Sequence, residues 1–214
     1  GAGTMGGGIT MAMINAGIAV RLSDSSQESL DRGIATIRKN YENSVKKGRF
    51  TQDVVEARMA LIDARLGYGG FEDADIIVEA VFESMDLKKK IFGEIDAIAK
   101  RDCVLATNTS TLNIDHIAQA TKRPEMVIGL HFFNPVPQLQ LVEIVSSTHT
   151  DPEVAKQAVA HVNRGVGHGT HAALMLPNIA QWPISWLALA AFGAVCVPIN
   201  VRYTARELEF AIDD

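Results

Sequence analysis

The 214-residue chain is 47% hydrophobic and 21% charged, the balance of a globular protein with a sizeable core. A formal net charge of -5 argues against nonspecific attachment to nucleic acid or to an anionic membrane. Its two cysteines, Cys103 and Cys196, lie far apart with no His or Cys at metal-ligand spacing, which argues against a disulfide framework or zinc site and for a reducing, cytoplasmic setting.

The chain opens Gly1-Ala2-Gly3-Thr4-Met5-Gly6, a G-x-G-x-x-G. In such a loop Gly1 permits a tight turn, Gly3 lets the backbone approach a pyrophosphate, and Gly6 lets the following helix pack on a sheet. Ile9, Met13 and Ile14 continue as an apolar helix face, so the amides and dipole at the helix start face the phosphates. A strand follows at Ala19–Ser23, ending at Asp24 about 20 residues after the glycines, where an acid binds ribose hydroxyls and repels a 2′-phosphate. That combination points to NAD rather than NADP. A second reading stays open, in which the loop is a structural glycine turn and Asp24 caps the next helix. The strand expected before Gly1 is absent. In a sheet of this kind it lies in the middle, so the sequence reads as truncated and its neighbours are expected to carry unpaired backbone groups.

Gln27 to Arg65 reads as helical, divided by a turn at Lys47-Gly48-Arg49. Leu30, Ile34, Ile37 and Tyr41 recur at helical spacing, as do Val54, Val55, Met59 and Ile62, which gives a helical hairpin projecting from the sheet. Lys46, Lys47 and Arg49 suit either a coenzyme A phosphate or a solvated basic turn. Further strands are expected at Asp75–Val81, Cys103–Asn108, Met126–His131 and Leu139–Val145, with a helix at Met85–Ala99 burying Leu87, Ile91, Ile95 and Ile98. This alternation is that of a parallel α/β sheet. His116, His149 and His161 read as surface or helix residues, and Cys103 as a buried strand residue.

The texture changes near residue 165, at Gly165, Gly167 and Gly169. From Ala172 to Val201 there is no charged residue, yet the unbroken apolar run, Ile184 to Val197, falls short of the ~20 residues of a spanning helix. A buried helix, Ile179 to Phe192, with flanking strands is expected there, either covering the core or pairing with another chain.

His131-Phe132-Phe133-Asn134-Pro135, followed by Leu141-Val142-Glu143, resembles the 3-hydroxyacyl-CoA dehydrogenase family, as do Asn108-Thr109-Ser110 and Glu79-Ala80-Val81-Phe82-Glu83. The resemblance implies a Rossmann-type, mainly parallel sheet lacking its first strand, with the helical hairpin as an insertion and a C-terminal βαβα fragment. It implies that His131 takes a proton from a substrate 3-hydroxyl, that Glu143 pairs with that imidazole, and that Ser110 hydrogen-bonds the substrate. It also implies coenzyme contacts from Glu83, Lys88, Ser110 and Asn134, with NAD as cofactor and acyl-CoA as substrate. The chemistry is sensible: alcohol oxidation needs a base near neutral pKa, an imidazole's ordinary value is about 6.5, and a carboxylate on its far nitrogen fixes the tautomer. Without the motif around it, His131 reads first as a structural strand-end residue and only second as a base.

The family's helical second domain, with its dimer contact, has no counterpart in the sequence. Residues 1–163 are therefore assigned to the NAD-binding domain and 164–214 to a separate piece, whose Arg164-Gly165-Val166-Gly167, Leu176-Pro177-Asn178 and Tyr203-Thr204-Ala205-Arg206 resemble the N-terminal part of an AMP-forming acyl-CoA synthetase. NAD-dependent oxidation of (S)-3-hydroxyacyl-CoA leads. An inactive NAD-binding module, a structural protein on the same fold, and an acyl-CoA ligase fragment remain as alternatives.

Overall fold

The computed structural model describes residues 1–139, 141–166, 171–175 and 195–198. The expected helix at Ile179–Phe192, both tryptophans and the last turn of the synthetase-like piece lie outside the described residues.

Helix α1 (Thr4–Asn15) starts directly on the glycine loop, with Gly3 as its extended N-cap residue. It is buried along most of its length, as its Gly, Ile and Met content dictates. Strand β1 (Val20–Asp24) follows, then α2 (Gln27–Lys46), whose N-terminus is capped by Ser26 accepting from the Ser29 amide. Leu30, Gly33, Ile37 and Tyr41 form its buried face, with Ile34 half-buried. Gly48, at φ 68°, makes the turn into α3 (Gln52–Met59), which buries Val55 and Met59. Val54, expected on that face, is exposed.

The helical reading of Gln27 to Arg65 overran. After Ala60 the chain becomes strand β2 (Ile62–Leu66), parallel to β1 with Val20 opposite Ile62. The overrun has a physical cause: Val55, Met59 and Ile62 fall at i, i+4 and i+7, so helical spacing runs unbroken into an edge strand with three exposed positions.

The remaining elements are β3 (Ile76–Glu79), α4 (Met85–Ile98), β4 (Val104–Thr107), the short α5 (Ile114–Ala118), β5 (Val127–Phe132), β6 (Leu141–Ser146), α6 (Pro152–Val166), β7 (His171–Met175) and β8 (Val195–Pro198). They make a six-stranded sheet in the order β3-β4-β5-β6-β7-β8, parallel except for the antiparallel β5–β6 pair. All five expected strands are present with ends shifted by one or two residues. Helix α4 corrects its expected face: it buries Lys88, Phe92 and Ile95, whereas Leu87 and Ile91 are half-buried and Ile98 is exposed.

Among the described residues β1 and β3 do not pair, so the α/β layer is divided into a two-stranded and a six-stranded sheet. Both strands line one cavity of about 1850 Å³, together with the glycine loop and α1. The core is accordingly split: one cluster joins α1 and α6 to β4, β5 and β6, and another joins α1 to β1, α2 and α3. Among the described residues no helix is long and apolar enough to cross a membrane.

Candidate active site

The glycine loop is fixed by close approach. A Cβ built on Gly6 would lie 1.7 Å from the Gly1 carbonyl oxygen, and one on Gly33 of α2 would lie 2.4 Å from the Ala2 oxygen. Neither position admits a side chain without backbone movement. At Gly3 the same atom would meet nothing, so that face of the loop opens to the cavity. No side chain caps α1, and no acid sits in its first turn. Its leading amides therefore have no side-chain acceptor of the chain's own, which is the environment an anionic phosphate fits.

Asp24 closes the other side of the loop. Its Oδ2 accepts the Ala2 amide at 2.6 Å and its Oδ1 the Ser25 amide at 2.7 Å. Burial works against the charge, but these bonds outweigh it and hold the carboxyl below its usual range. The cap of α2 is Ser26, not Asp24, so the alternative reading of Asp24 as a helix cap does not hold. Gly1, Gly3, Thr4, Met5, Gly6 and Asp24 thus line one wall of the cavity.

A second group of residues gathers beyond the carboxyl ends of β3 and β4. His131 and Glu143 are direct cross-strand partners in the antiparallel β5–β6 pair, so both side chains share one face. The ring Nδ1 lies 2.7 Å from Glu143 Oε2. Because a carboxylate only accepts, Nδ1 carries the proton and Nε2 presents its lone pair. Ser110 Oγ sits 3.1 Å from Nε2, completing a Ser110–His131–Glu143 chain. Phe133 packs against the imidazole at a centroid distance of 4.6 Å, and the Asn108 side-chain oxygen accepts the Phe132 amide at 2.8 Å. Asn134, two residues beyond, lines the same cavity as the glycine loop.

Glu83 and Lys88 take places that motif reading alone does not give. Lys88 is fully buried, its Nζ 2.8 and 2.9 Å from the two oxygens of Glu79 and 3.5 Å from Glu83 Oε2. It stands behind the cavity wall as counter-ion to two carboxylates. Glu79 also accepts the Thr107 hydroxyl at 2.7 Å and the Val81 amide at 2.7 Å. In the sequence Glu79 stands out only as part of a motif. Its signal was an acid inside an otherwise apolar strand, a residue type buried only when paired. Asn108, Thr107 and Thr109 gave no separate signal.

Lys46, Lys47 and Arg49 lie at the hairpin turn, and Lys47 and Arg49 line the same cavity as the glycine loop; His116 and His149 are exposed. Cys103 is buried, and burial pushes its thiol up to about 11. Among the described residues no cluster of His, Cys, Asp or Glu is arranged to hold a metal.

A family model described as 3-hydroxyacyl-CoA dehydrogenase, NAD binding domain, matches residues 1–170. The chain belongs to this family. A 3-hydroxybutyryl-CoA dehydrogenase of Clostridioides difficile is 41% identical over 150 residues, 70% of this chain and 53% of that protein. A glyoxysomal fatty acid beta-oxidation multifunctional protein of Brassica napus is 37% identical over 154 residues, 72% of this chain and 21% of that protein. The crystal structure of an (S)-3-hydroxybutyryl-CoA dehydrogenase from Ralstonia eutropha superposes with a TM-score of 0.77 at 32% identity, covering 84% of this chain and 63% of that one. The chain therefore spans less than two thirds of each of these relatives. NAD is the cofactor of a domain of this dehydrogenase family, and the open face at Gly3, the uncapped α1 and the Asp24 carboxylate fit it. A second family model, AMP-binding enzyme, matches residues 145–214 and overlaps the first at 145–170.

Proposed function

We propose that the chain carries the coenzyme-binding and proton-transfer half of an enzyme oxidising (S)-3-hydroxyacyl-CoA to 3-oxoacyl-CoA with NAD. The observation that supports it most is the Ser110–His131–Glu143 chain, with Asn134, three residues beyond His131, lining the cavity that the glycine loop also lines. Bound at Gly1, Gly3, Thr4, Met5, Gly6 and Asp24, NAD supplies the hydride acceptor. His131 Nε2 receives the proton of the substrate 3-hydroxyl. Glu143 holds the ring in the tautomer that leaves Nε2 free, then offsets the positive charge of the imidazolium. Ser110 Oγ hydrogen-bonds the substrate oxygen and holds it against Nε2. The acyl-CoA substrate and a cytoplasmic setting belong to the same proposal, as does a boundary between a dehydrogenase domain at 1–163 and a separate piece at 164–214.

The two halves of the reading separate by mutation. Asp24→Ala is expected to weaken NADH binding by about 10- to 100-fold, the value of one or two charge-assisted hydrogen bonds. His131→Gln is expected to leave NADH affinity within about twofold and to lower turnover by about 10²–10⁴-fold. Fluorescence titration with NADH, alongside reduction of a 3-oxoacyl-CoA, checks both; equal loss of binding and turnover in both variants contradicts the assignment.

A further inference from the structure

Glu83 sits in the turn between β3 and α4, one residue before the Ser84 cap, and its side chain is 38% exposed. Its Oε1 is surrounded by donors from a different loop: the Thr109 hydroxyl, the Ser110 amide at 3.0 Å and the Thr111 amide at 3.2 Å, with the Thr111 hydroxyl at 3.5 Å. Its Oε2 faces the buried Lys88 ammonium. Three consecutive residues of the Ser110 turn therefore converge on one oxygen. Thr109 Oγ1 in turn accepts the Leu112 amide at 3.0 Å, which ties the turn to the start of the next segment.

Ser110 itself is exposed, and its hydroxyl meets the His131 ring. An exposed serine on a short connection has free rotamers and a soft backbone unless something outside the connection fixes it. Asn108 anchors the near end, through its amide on the Glu79 carbonyl and its side chain on the Phe132 amide. The far part of the turn is gathered by Glu83.

We propose that Glu83 is a positioning residue for the proton-transfer chain: with Lys88 as its counter-ion, it gathers the amides of Ser110 and Thr111 and the Thr109 hydroxyl, and so sets Ser110 Oγ on His131 Nε2. This goes beyond a contact with coenzyme, because the arrangement is complete in the chain alone. It rests on the Ser110–His131 contact used in the proposed function. The depressed carboxyl pKa of Glu83 agrees with it: burial opposes the charge, but the Thr109, Thr111 and Ser110 donors and the Lys88 charge more than offset that. The anionic carboxylate is thus the state the turn selects.

The test uses the full chain without coenzyme, with nitrogen-15 in its histidines, above the titration of the imidazole. Ser110→Ala defines the Nε2 resonance of a His131 ring that has lost its hydroxyl partner. Glu83→Ala is expected to move Nε2 to that same position, and Glu83→Gln, which keeps an oxygen acceptor for the two amides, to stay with wild type. A residue that merely stabilised the fold would lower the melting temperature and leave the nitrogen unmoved, as would one that only touched coenzyme; either result overturns the proposal. So does an Nε2 that Ser110→Ala fails to move, since there is then no contact to position. Thr109→Val, which removes one of the three donors, is the second variant should Glu83→Ala not fold: it is expected to move Nε2 in the same direction by less, and no movement is contrary. NADH titration of the same samples separates the two readings. Retained NADH binding with an unmoved nitrogen rejects the role of Glu83 and leaves the dehydrogenase reading standing.

Discussion

Among the described residues, Lys88 and Glu79 carry the most deeply buried charges, and they set the sharpest energetic expectation. Lys88 and Glu79 are 0% and 1% exposed at their side chains, so each is tolerable only because of the other. Lys88→Met leaves the Glu79 carboxylate uncompensated and is expected to cost about 3–5 kcal/mol in urea unfolding, whereas Lys88→Met with Glu79→Met recovers most of that. A single variant as stable as wild type would show that the pair is not desolvated in solution. Asp24 and Glu83 behave differently, because both are partly exposed and both have carboxyl pKa values below the usual range. A depressed folded pKa contributes stability that is present above the unfolded value and is lost as pH falls through the folded one. The urea midpoint is therefore expected to fall as the pH is lowered below about 5, and to fall less in Asp24→Asn; an Asp24→Asn profile parallel to wild type would remove Asp24 from the account. Of these residues, Asp24, His131, Glu143 and Ser110 were legible in the sequence because each stands in or beside a motif. Glu79 stands in a motif and Lys88 is an implied coenzyme contact, but the sequence does not pair them: their nine-residue separation spans a strand end, a turn and a helix start, and only the fold brings them together.

At the scale of elements, the apolar strands are legible in the sequence, whereas the change from α3 to β2 and the buried face of α4 are not. The strands β4 and β5 are continuous apolar runs, buried on both faces, and their sequence says so. Strand β2 lies at an edge, exposes Ala64, Arg65 and Leu66, and carries on the spacing of α3, so nothing in its pattern marks the change of structure. Helix α4 shows the converse failure. Its most apolar stripe is not the one it buries, because Lys88 turns inward to meet Glu79 and draws Phe92 and Ile95 with it at i+4 and i+7. The divided sheet gives this scale its own prediction. The Val20 amide donates to Leu61 and the Val104 amide to Asp75, so by alternation the amides of Arg21, Ser23, Ile76 and Val78 point away from their ladders toward the cavity. Hydrogen exchange at those four amides is expected to be about 100-fold or more faster than at Leu105 and Ile128. Equal protection would mean that β1 and β3 are paired along those edges.

For the molecule as a whole, the glycine loop and the Ser110–His131–Glu143 chain come from opposite ends of the dehydrogenase region. The glycine loop opens the sequence, and the β5–β6 pair lies more than a hundred residues later; Asn134, in the connection between those two strands, lines the cavity with the glycine loop. Family membership follows from residues 1–170, and the acyl-CoA substrate is the extension from there to the whole enzyme. The central claim is that His131, held by Glu143, moves the proton that accompanies hydride transfer at this site. Single-turnover absorbance of NADH bound to the chain, mixed with a short 3-oxoacyl-CoA, tests it most directly. Wild type is expected to lose the NADH band while His131→Gln, binding NADH equally well, loses it about 10²–10⁴-fold more slowly. NADH that is bound but not consumed by wild type, or consumed as fast by His131→Gln, would contradict the account.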